Sequence, residues 1–456
     1  MTETARAHPR IQSAPLGPNL ASIRSANVSA LLSQVVCLVI LTRSICDPLF
    51  VMIGTDLNGS SITFGAVINA LVIALVALFV IEGNSAPPIA VFAIWLPYLL
   101  VAFLATLYAP NFTSAARIFL VILSYWSMFA LPFFMLRTRA QLPRFLLLVL
   151  ASSIVPSLYA LWDIWHGLAN WHDFRLQSTF PHPNIFAFYL VLMLGLALYV
   201  RTSTAARWPP GVRAAMTLYI PLLLLFLALT KTRGAWMACA IMFLVYALWF
   251  DRRLLVATVV LPILLSTDSI VGDRLSDLSR GGEIESFSEL NANNQWNSLA
   301  WREALWRSAL EAVAQRPILG HGLESFRPSA LDFFPLTGPE GVDAHNLYLQ
   351  ILFEMGALGL IAYLWLMGSL LWWIKKGAAE DPKGMVIVFT IIGAYLLESY
   401  ADNMLYYLSF NWYFMFTMGA ICAWISSEQD SASEQKDWPN RSACFAARQS
   451  KLESAG

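Results

Sequence analysis

The sequence predicts an all-α polytopic membrane protein of about 12 transmembrane helices, with one large loop between spans nine and ten that contains an amphipathic helix. Three observations predict it. The chain is 58% hydrophobic and only 13% charged, with no net charge and a mean hydropathy of +0.60, and a water-soluble chain this apolar would aggregate. Uncharged runs long enough to cross roughly 30 Å of hydrocarbon recur, among them Ile62 to Ile81, Pro88 to Tyr108, Ile118 to Leu136 and Met404 to Ile425. Lysine and arginine are also distributed unevenly between alternate connecting segments, as they are in membrane proteins of fixed orientation.

The elements follow in order. Residues 1–27 carry Arg6, Arg10 and Arg24 without an apolar core or a small-residue cleavage site, so they are expected to be a cytoplasmic tail and not a secretory signal. Spans one to nine occupy residues 28–267, starting near residues 28, 62, 88, 117, 143, 184, 214, 234 and 253. The ninth, Leu254 to Thr267, is short and carries Pro262. Residues 268–345 form the long polar loop, and spans ten to twelve, starting near 346, 383 and 404, fill 346–426. From 427 to 456 the chain turns rich in Ser, Glu, Gln and Lys, the composition of a disordered tail. No internal repeat is visible, which disfavours the common transporter architectures built from two related halves.

Charge sets the orientation. With twelve spans and both termini inside, the inner segments collect Arg137, Arg139, Arg144, Arg201, Arg207, Arg213, Arg252, Arg253, Lys375, Lys376 and Lys383. The short outer loops hold only Arg117, Arg175, Lys231 and Arg233. Removing the ninth span would send Lys375, Lys376 and Lys383 outside and break the pattern. The long loop is therefore expected to face outward.

Outward arginines in short loops run against this rule and call for a reason. Arg175 precedes Pro183-Asn184, and Arg233 lies in the tight turn Thr230-Lys231-Thr232-Arg233-Gly234. A planar guanidinium grips phosphate oxygens as a fork, so paired arginines suit a diphosphate; snorkelling to lipid headgroups is the alternative. Acids near the spans show the same asymmetry: Asp47, Asp163, Glu398 and Asp402 all fall at outer ends, with Glu354 about two turns deeper. An outward-facing polar cavity accounts for them. Local pairing of Arg43 with Asp47 and capping by Glu398 and Asp402 are the plain alternatives.

Within the long loop, Gln295 to Gln315 reads as an amphipathic helix, with Leu299, Leu305, Trp306, Leu310 and Val313 apolar against Arg302, Glu303, Arg307 and Glu311. Trp296, Trp301 and Trp306 favour a position along the membrane interface. Pro317 to Phe326 follows, with Gly320 and Gly322 permitting a tight turn near a ligand, and then Ala344-His345-Asn346 opens span ten. His166, His172, His182 and His321 also fall on the outer side, but their irregular spacing does not match a metal site. Cys37, Cys46, Cys239, Cys422 and Cys444 show neither metal-ligand spacing nor a disulfide framework.

Together these pieces carry a resemblance. Arg175 with Pro183-Asn184, Thr232-Arg233-Gly234, the Arg302 to Trp306 helix, Pro317 to Phe326, and Ala344-His345-Asn346 with Glu354-Met355-Gly356-Ala357-Leu358-Gly359 occur in an order that resembles the O-antigen ligase and polymerase family of bacterial envelope proteins. The resemblance implies a glycosyltransferase of the inner membrane that moves a glycan from undecaprenyl diphosphate to an acceptor hydroxyl, on a growing polysaccharide or on lipid A core, at the periplasmic face. It implies no metal, cofactor or nucleic acid, with membrane lipids as surroundings. Breaking a sugar–diphosphate bond requires stabilised leaving-group charge and an acceptor that loses a proton. Accordingly His345 is expected as the base or acceptor-orienting group and Arg175 and Arg233 as the diphosphate clamp. Arg302, Glu354, Asn184, Asn346, Gly320 and Gly322 are expected to help bind substrate. Two departures, Lys231 before Arg233 and Asp343 before Ala344-His345, bear on acceptor identity. A transporter or flippase for lipid-linked glycans and a non-catalytic scaffold of polysaccharide assembly are the readings from other classes.

Overall fold

The computed structural model describes residues 20–52, 54–57, 60–83, 87–167, 174–204, 208–252 and 298–427. The expected ninth span, the first part of the long loop, His172 and most of both tails lie outside the described residues. Among the described residues the protein is a helical bundle. Its elements are α1 (Leu20–Met52), α2 (Phe64–Gly83), α3 (Ile89–Leu107), α4 (Phe112–Met135), α5 (Leu142–Ala151), α6 (Ile154–Gly167), α7 (Pro183–Thr202), α8 (Pro210–Leu229), α9 (Arg233–Trp249), α10 (Ser298–Val313), α11 (Phe326–Phe333), α12 (Leu347–Gly377), α13 (Pro382–Ala401) and α14 (Leu408–Ser427). Ten helices are long and apolar enough to cross a membrane, counting α5 and α6 as one, and α9 is a shorter apolar helix. These match the expected spans other than the ninth. An antiparallel hairpin, β1 (Gly54–Leu57) paired with β2 (Ser60–Thr63), joins α1 to α2 and was not foreseen.

Proline and serine chemistry sets several boundaries. Pro183, Pro210 and Pro382 stand in the first turns of α7, α8 and α13, where a missing N–H is no loss. The fifth span was expected as one helix, but it breaks at Ser152–Ser153. Both hydroxyls bond back to carbonyls of the preceding turn, Ser152 Oγ to Val149 O (2.6 Å) and Ser153 Oγ to Leu150 O (2.5 Å), which competes with the helical ladder. Tyr189 and Tyr219 close on the same serines at 2.8 and 2.7 Å.

Helices α7 and α14 form the centre of the bundle, each 94% buried, whereas α8 buries only 17% of its apolar window and turns the remainder outward. Around the centre, α13 packs on both α7 and α9, α12 on α3 and α13, and α2 on α1 and α4. A second, smaller apolar core caps one end of the bundle. There Leu305 and Ala309 of α10, Phe326 and Ala330 of α11 and Leu349 and Phe353 of α12 meet. This cap reaches the ends of α3, α12 and α13, with Leu323 N donating to Ala105 O and Arg302 to Ala401 O.

Candidate functional site

The site assembles from helix ends. Segment 174–180 runs beside the end of α8, its Leu176 N–H donating to Leu229 O (3.0 Å), which brings Arg175 to the α8–α9 turn. There the Arg175 guanidinium donates to Thr230 O (3.0 Å), Asn184 Oδ1 (2.9 Å) and Thr232 Oγ1 (3.3 Å). Asn184, in the first turn of α7, turns its amide nitrogen to Asp402 Oδ2 (2.6 Å). Asp402, just past α13, faces His345 Nδ1 through its other oxygen (3.2 Å). One polar chain therefore runs from guanidinium to amide to carboxylate to imidazole, with residues from four parts of the sequence.

Electrostatics fixes the proton positions in this chain. Burial alone would raise the Asp402 carboxyl, but the bond and charge of His345, with hydrogen bonds from Asn184 and Tyr407, hold it below the usual carboxylate range. An ionised carboxylate only accepts, so His345 Nδ1 donates to it, and whenever the imidazole is neutral the lone pair is on Nε2. His345 is about one-third exposed while Asp402 is almost fully enclosed, so the imidazole is the reachable end of the pair. Beside them His182 caps α7, its Nδ1 accepting from Asn184 N (3.1 Å). Burial, and then the charge of Arg175, lower the His182 pKa, which keeps that nitrogen free to accept.

The backbone is strained where the site is built. Among the described residues, the non-glycine residues at positive φ are Ser178, Lys231, Glu324 and His345, each within a segment that contributes to this end of the bundle. His345 (φ 48) is held on both sides. Trp306 Nε1 donates to Ala344 O (2.7 Å), Gln350 Oε1 accepts from Ala344 N (3.0 Å), and Asn346 caps α12 through Leu349 N (3.1 Å). The Trp301 ring lies edge-on to His345 at 6.1 Å.

Of the residues singled out from the sequence, Arg175, Asn184 and His345 thus fall in one hydrogen-bonded chain. Arg233 is half-buried at the start of α9, next to Thr232 of that chain. Arg302 bonds Ala401 O (2.8 Å), one residue before Asp402. Glu354 stands behind the site and fully buried, accepting from Gln350 Nε2 (2.6 Å) and Phe326 N (3.3 Å), so that it supports the residue that orients Ala344. Asn346 is a helix cap, and Gly320 and Gly322 pack against the break in α12 and the end of α3. Arg117 is exposed on α4, Asp163 accepts from Ser178 N (2.9 Å), and Glu398 lines a small apolar cavity one turn below Asp402. The Asp402–His345 pair itself was missed. Asp402 was visible as an acid at a span end, but two residues 57 apart in sequence carry no local signal that they meet.

The fold and the site define a class: a polytopic α-helical membrane protein with a carboxylate-oriented histidine and a guanidinium joined at one face. Residues 218–364, from within α8 through the first half of α12, match the family model described as O-antigen ligase. The match takes in Arg233, Arg302, His345 and Glu354. An uncharacterized protein of Haemophilus influenzae is 26% identical over 148 residues, which are 30% of this chain and 37% of that protein. The chain thus spans about a third of the length of this curated relative.

Proposed function

We propose that the protein transfers a glycan from undecaprenyl diphosphate to an acceptor hydroxyl at the periplasmic face of the inner membrane. The observation that carries this is the chain from Arg175 through Asn184 and Asp402 to His345. In the reaction, His345 Nε2 takes the proton of the acceptor hydroxyl, whose oxygen bonds the anomeric carbon as the bond from that carbon to the diphosphate oxygen breaks. The departing diphosphate gains charge, and the guanidinium groups of Arg175 and Arg233 stabilise it, the part a metal plays in other transferases. Asp402 holds the imidazole in the tautomer that can act as base.

In this reading residues 268–345 face outward, and residues 1–27 and 427–456 are inward tails. Two features support the orientation. Lys375, Lys376 and Lys383 lie at the end of the bundle opposite the site. α9 begins at the site end, where its Gly234 approaches Ala401, and α10 lies at that same end through the Arg302–Ala401 bond. This supports one further crossing between α9 and α10, as a twelve-span chain has.

The test uses the purified full chain and an undecaprenyl-diphosphate-linked oligosaccharide, with and without lipid A core, and with no added metal or nucleotide. A ladder of products from donor alone identifies a polymerase, and transfer only when core is present identifies a ligase. Donor binding without any transfer would overturn the proposal in favour of transport or scaffolding.

A further inference from the structure

Asn403 follows Asp402 and is about as deeply buried as its neighbour, 3% exposed. Its backbone is fully engaged: its N–H donates to Asp402 Oδ1 (2.9 Å) and its C=O accepts from Tyr406 N (3.3 Å). Its side chain is not, since neither the amide oxygen nor the amide nitrogen has a hydrogen-bond partner among the described residues. Asn403 stands at the N-cap of the short turn Met404–Tyr406, where an asparagine ordinarily bonds back to the turn's own N–H groups, yet it makes no such bond. A buried primary amide with two donors and an acceptor unused is costly unless something else satisfies it.

The groups around it indicate what that is. Tyr406 donates its hydroxyl to Glu324, which sits at φ 62 in the loop after Gly322. Arg327 is paired with Asp343, two residues before His345. Asp343 acts electrostatically on Glu324, Tyr406 and Tyr407, so these groups line one neighbourhood. Along the polar chain, the Arg175 cation lies beyond Asn184, whereas Asn403 adjoins the Asp402 carboxylate and, through Tyr406, that of Glu324, with Arg327 already engaged by Asp343. Two carboxylates beside a cation that is already paired disfavour a phosphate there. A sugar hydroxyl, which donates and accepts at once, matches an amide and a phenol–carboxylate pair.

We propose that the Asn403 amide, with the Tyr406–Glu324 pair beside it, forms the acceptor subsite, and that its occupant is an uncharged sugar presenting adjacent hydroxyls to His345. The proposal rests on the transferase reading above and adds to it the acceptor's chemistry and the residues that select it.

Asn403→Ala and Tyr406→Phe test it in the detergent-solubilised full chain. With the undecaprenyl-diphosphate oligosaccharide as donor, each substitution is expected to raise the acceptor KM about tenfold, the loss of one or two hydrogen bonds. Donor KM and kcat should stay within about twofold. The melting temperature separates this from a structural role, because removing an amide with no hydrogen-bond partner among the described residues should not destabilise the empty protein. Asn403→Ala with an unchanged acceptor KM, or a lowered melting temperature with both substrates equally affected, overturns the subsite. Should the wild type transfer nothing, the transferase reading fails and binding decides the subsite. A fluorescent neutral oligosaccharide should bind the wild type, bind Asn403→Ala about tenfold more weakly, and outcompete its phosphorylated counterpart. A preference for the phosphorylated form, or no binding of the neutral one, overturns it.

Discussion

At the residue scale, the pairing of His345 with Asp402 gives the proposed base a chemistry and not only a position. Asp402 is ionised and enclosed, so replacing it by the isosteric amide keeps the packing while letting the neighbouring nitrogen choose the wrong tautomer. We expect Asp402→Asn to lower transfer about 100-fold with little change in donor KM, and His345→Ala to abolish it with expression intact. Normal product from either variant, measured with purified protein, rules out the catalytic assignment. His182 supplies a second residue-scale prediction. Its folded pKa lies below the ordinary value of about 6.5, so the unfolded chain binds a proton before the folded one does. The stability it contributes is complete above that value and is lost as pH falls through the folded one. His182→Asn keeps a cap that does not titrate and should flatten the fall in melting temperature below about pH 6.5. An unchanged slope would show that His182 does not set it.

At the scale of elements, the break in α12 shows what a glycine is for. Gly356 has φ 64 and ψ −168, and beyond it the helical N–H groups of Ala357 and Leu358 turn to Pro317 O (2.8 Å) and Ile318 O (3.3 Å). The carbonyls released at Phe353 and Glu354 accept from His321 N and Gly322 N, each at 2.9 Å. The loop after α10 is thereby stitched into the span, and the cap that holds His345 is fixed to the bundle. A Cβ at Gly356 would collide with Ile318 O in a backbone region that L residues avoid, whereas one at Gly368, lower in the same helix, meets nothing within 4 Å. Gly356→Ala should therefore destabilise by at least about 2 kcal/mol, while Gly368→Ala should be neutral or stabilising by up to about 1 kcal/mol. Thermal melting of both variants in one detergent checks the contrast, and equal behaviour refutes it. The sequence showed Gly320 and Gly322 as candidates for a turn near a ligand, but Gly356, their partner in the stitch, lies over thirty positions away and follows no periodic pattern. In the same way the helices were legible from uncharged runs, while the α5–α6 break was not, because serine back-bonding looks like any polar pair in an apolar span.

At the scale of the whole molecule, the arrangement puts cations at both ends but in different settings, built into a polar network at one and exposed at the other. The site end carries Arg175, Arg233 and Arg302 with Asp402 and His345, each engaged with helix ends. The other end carries Lys375 and Lys376 in the last turn of α12 and Arg139 beside Glu380 (3.8 Å). Exposed lysines and arginines in short loops stay on the cytoplasmic side because moving them across the membrane is costly during insertion, whereas arginines drawn into a structured site are compensated by their partners. In the proposed orientation the first group lies at the outward face and the second at the inward face. The proposed orientation is read from this imbalance, which depends on composition alone; the joining of Arg175 to His345 was not legible, because it depends on which helix ends become neighbours. The orientation has a direct measurement. In a chain whose native cysteines are replaced by serine or alanine, Glu311→Cys on the exposed face of α10 should react with a membrane-impermeant maleimide in intact cells whose outer membrane has been permeabilised. Lys376→Cys, also exposed, should react only after the inner membrane is opened. Labelling of position 376 from outside, or protection of position 311, would reverse the orientation and, with it, place the His345–Asp402 pair on the side where no periplasmic acceptor can reach it.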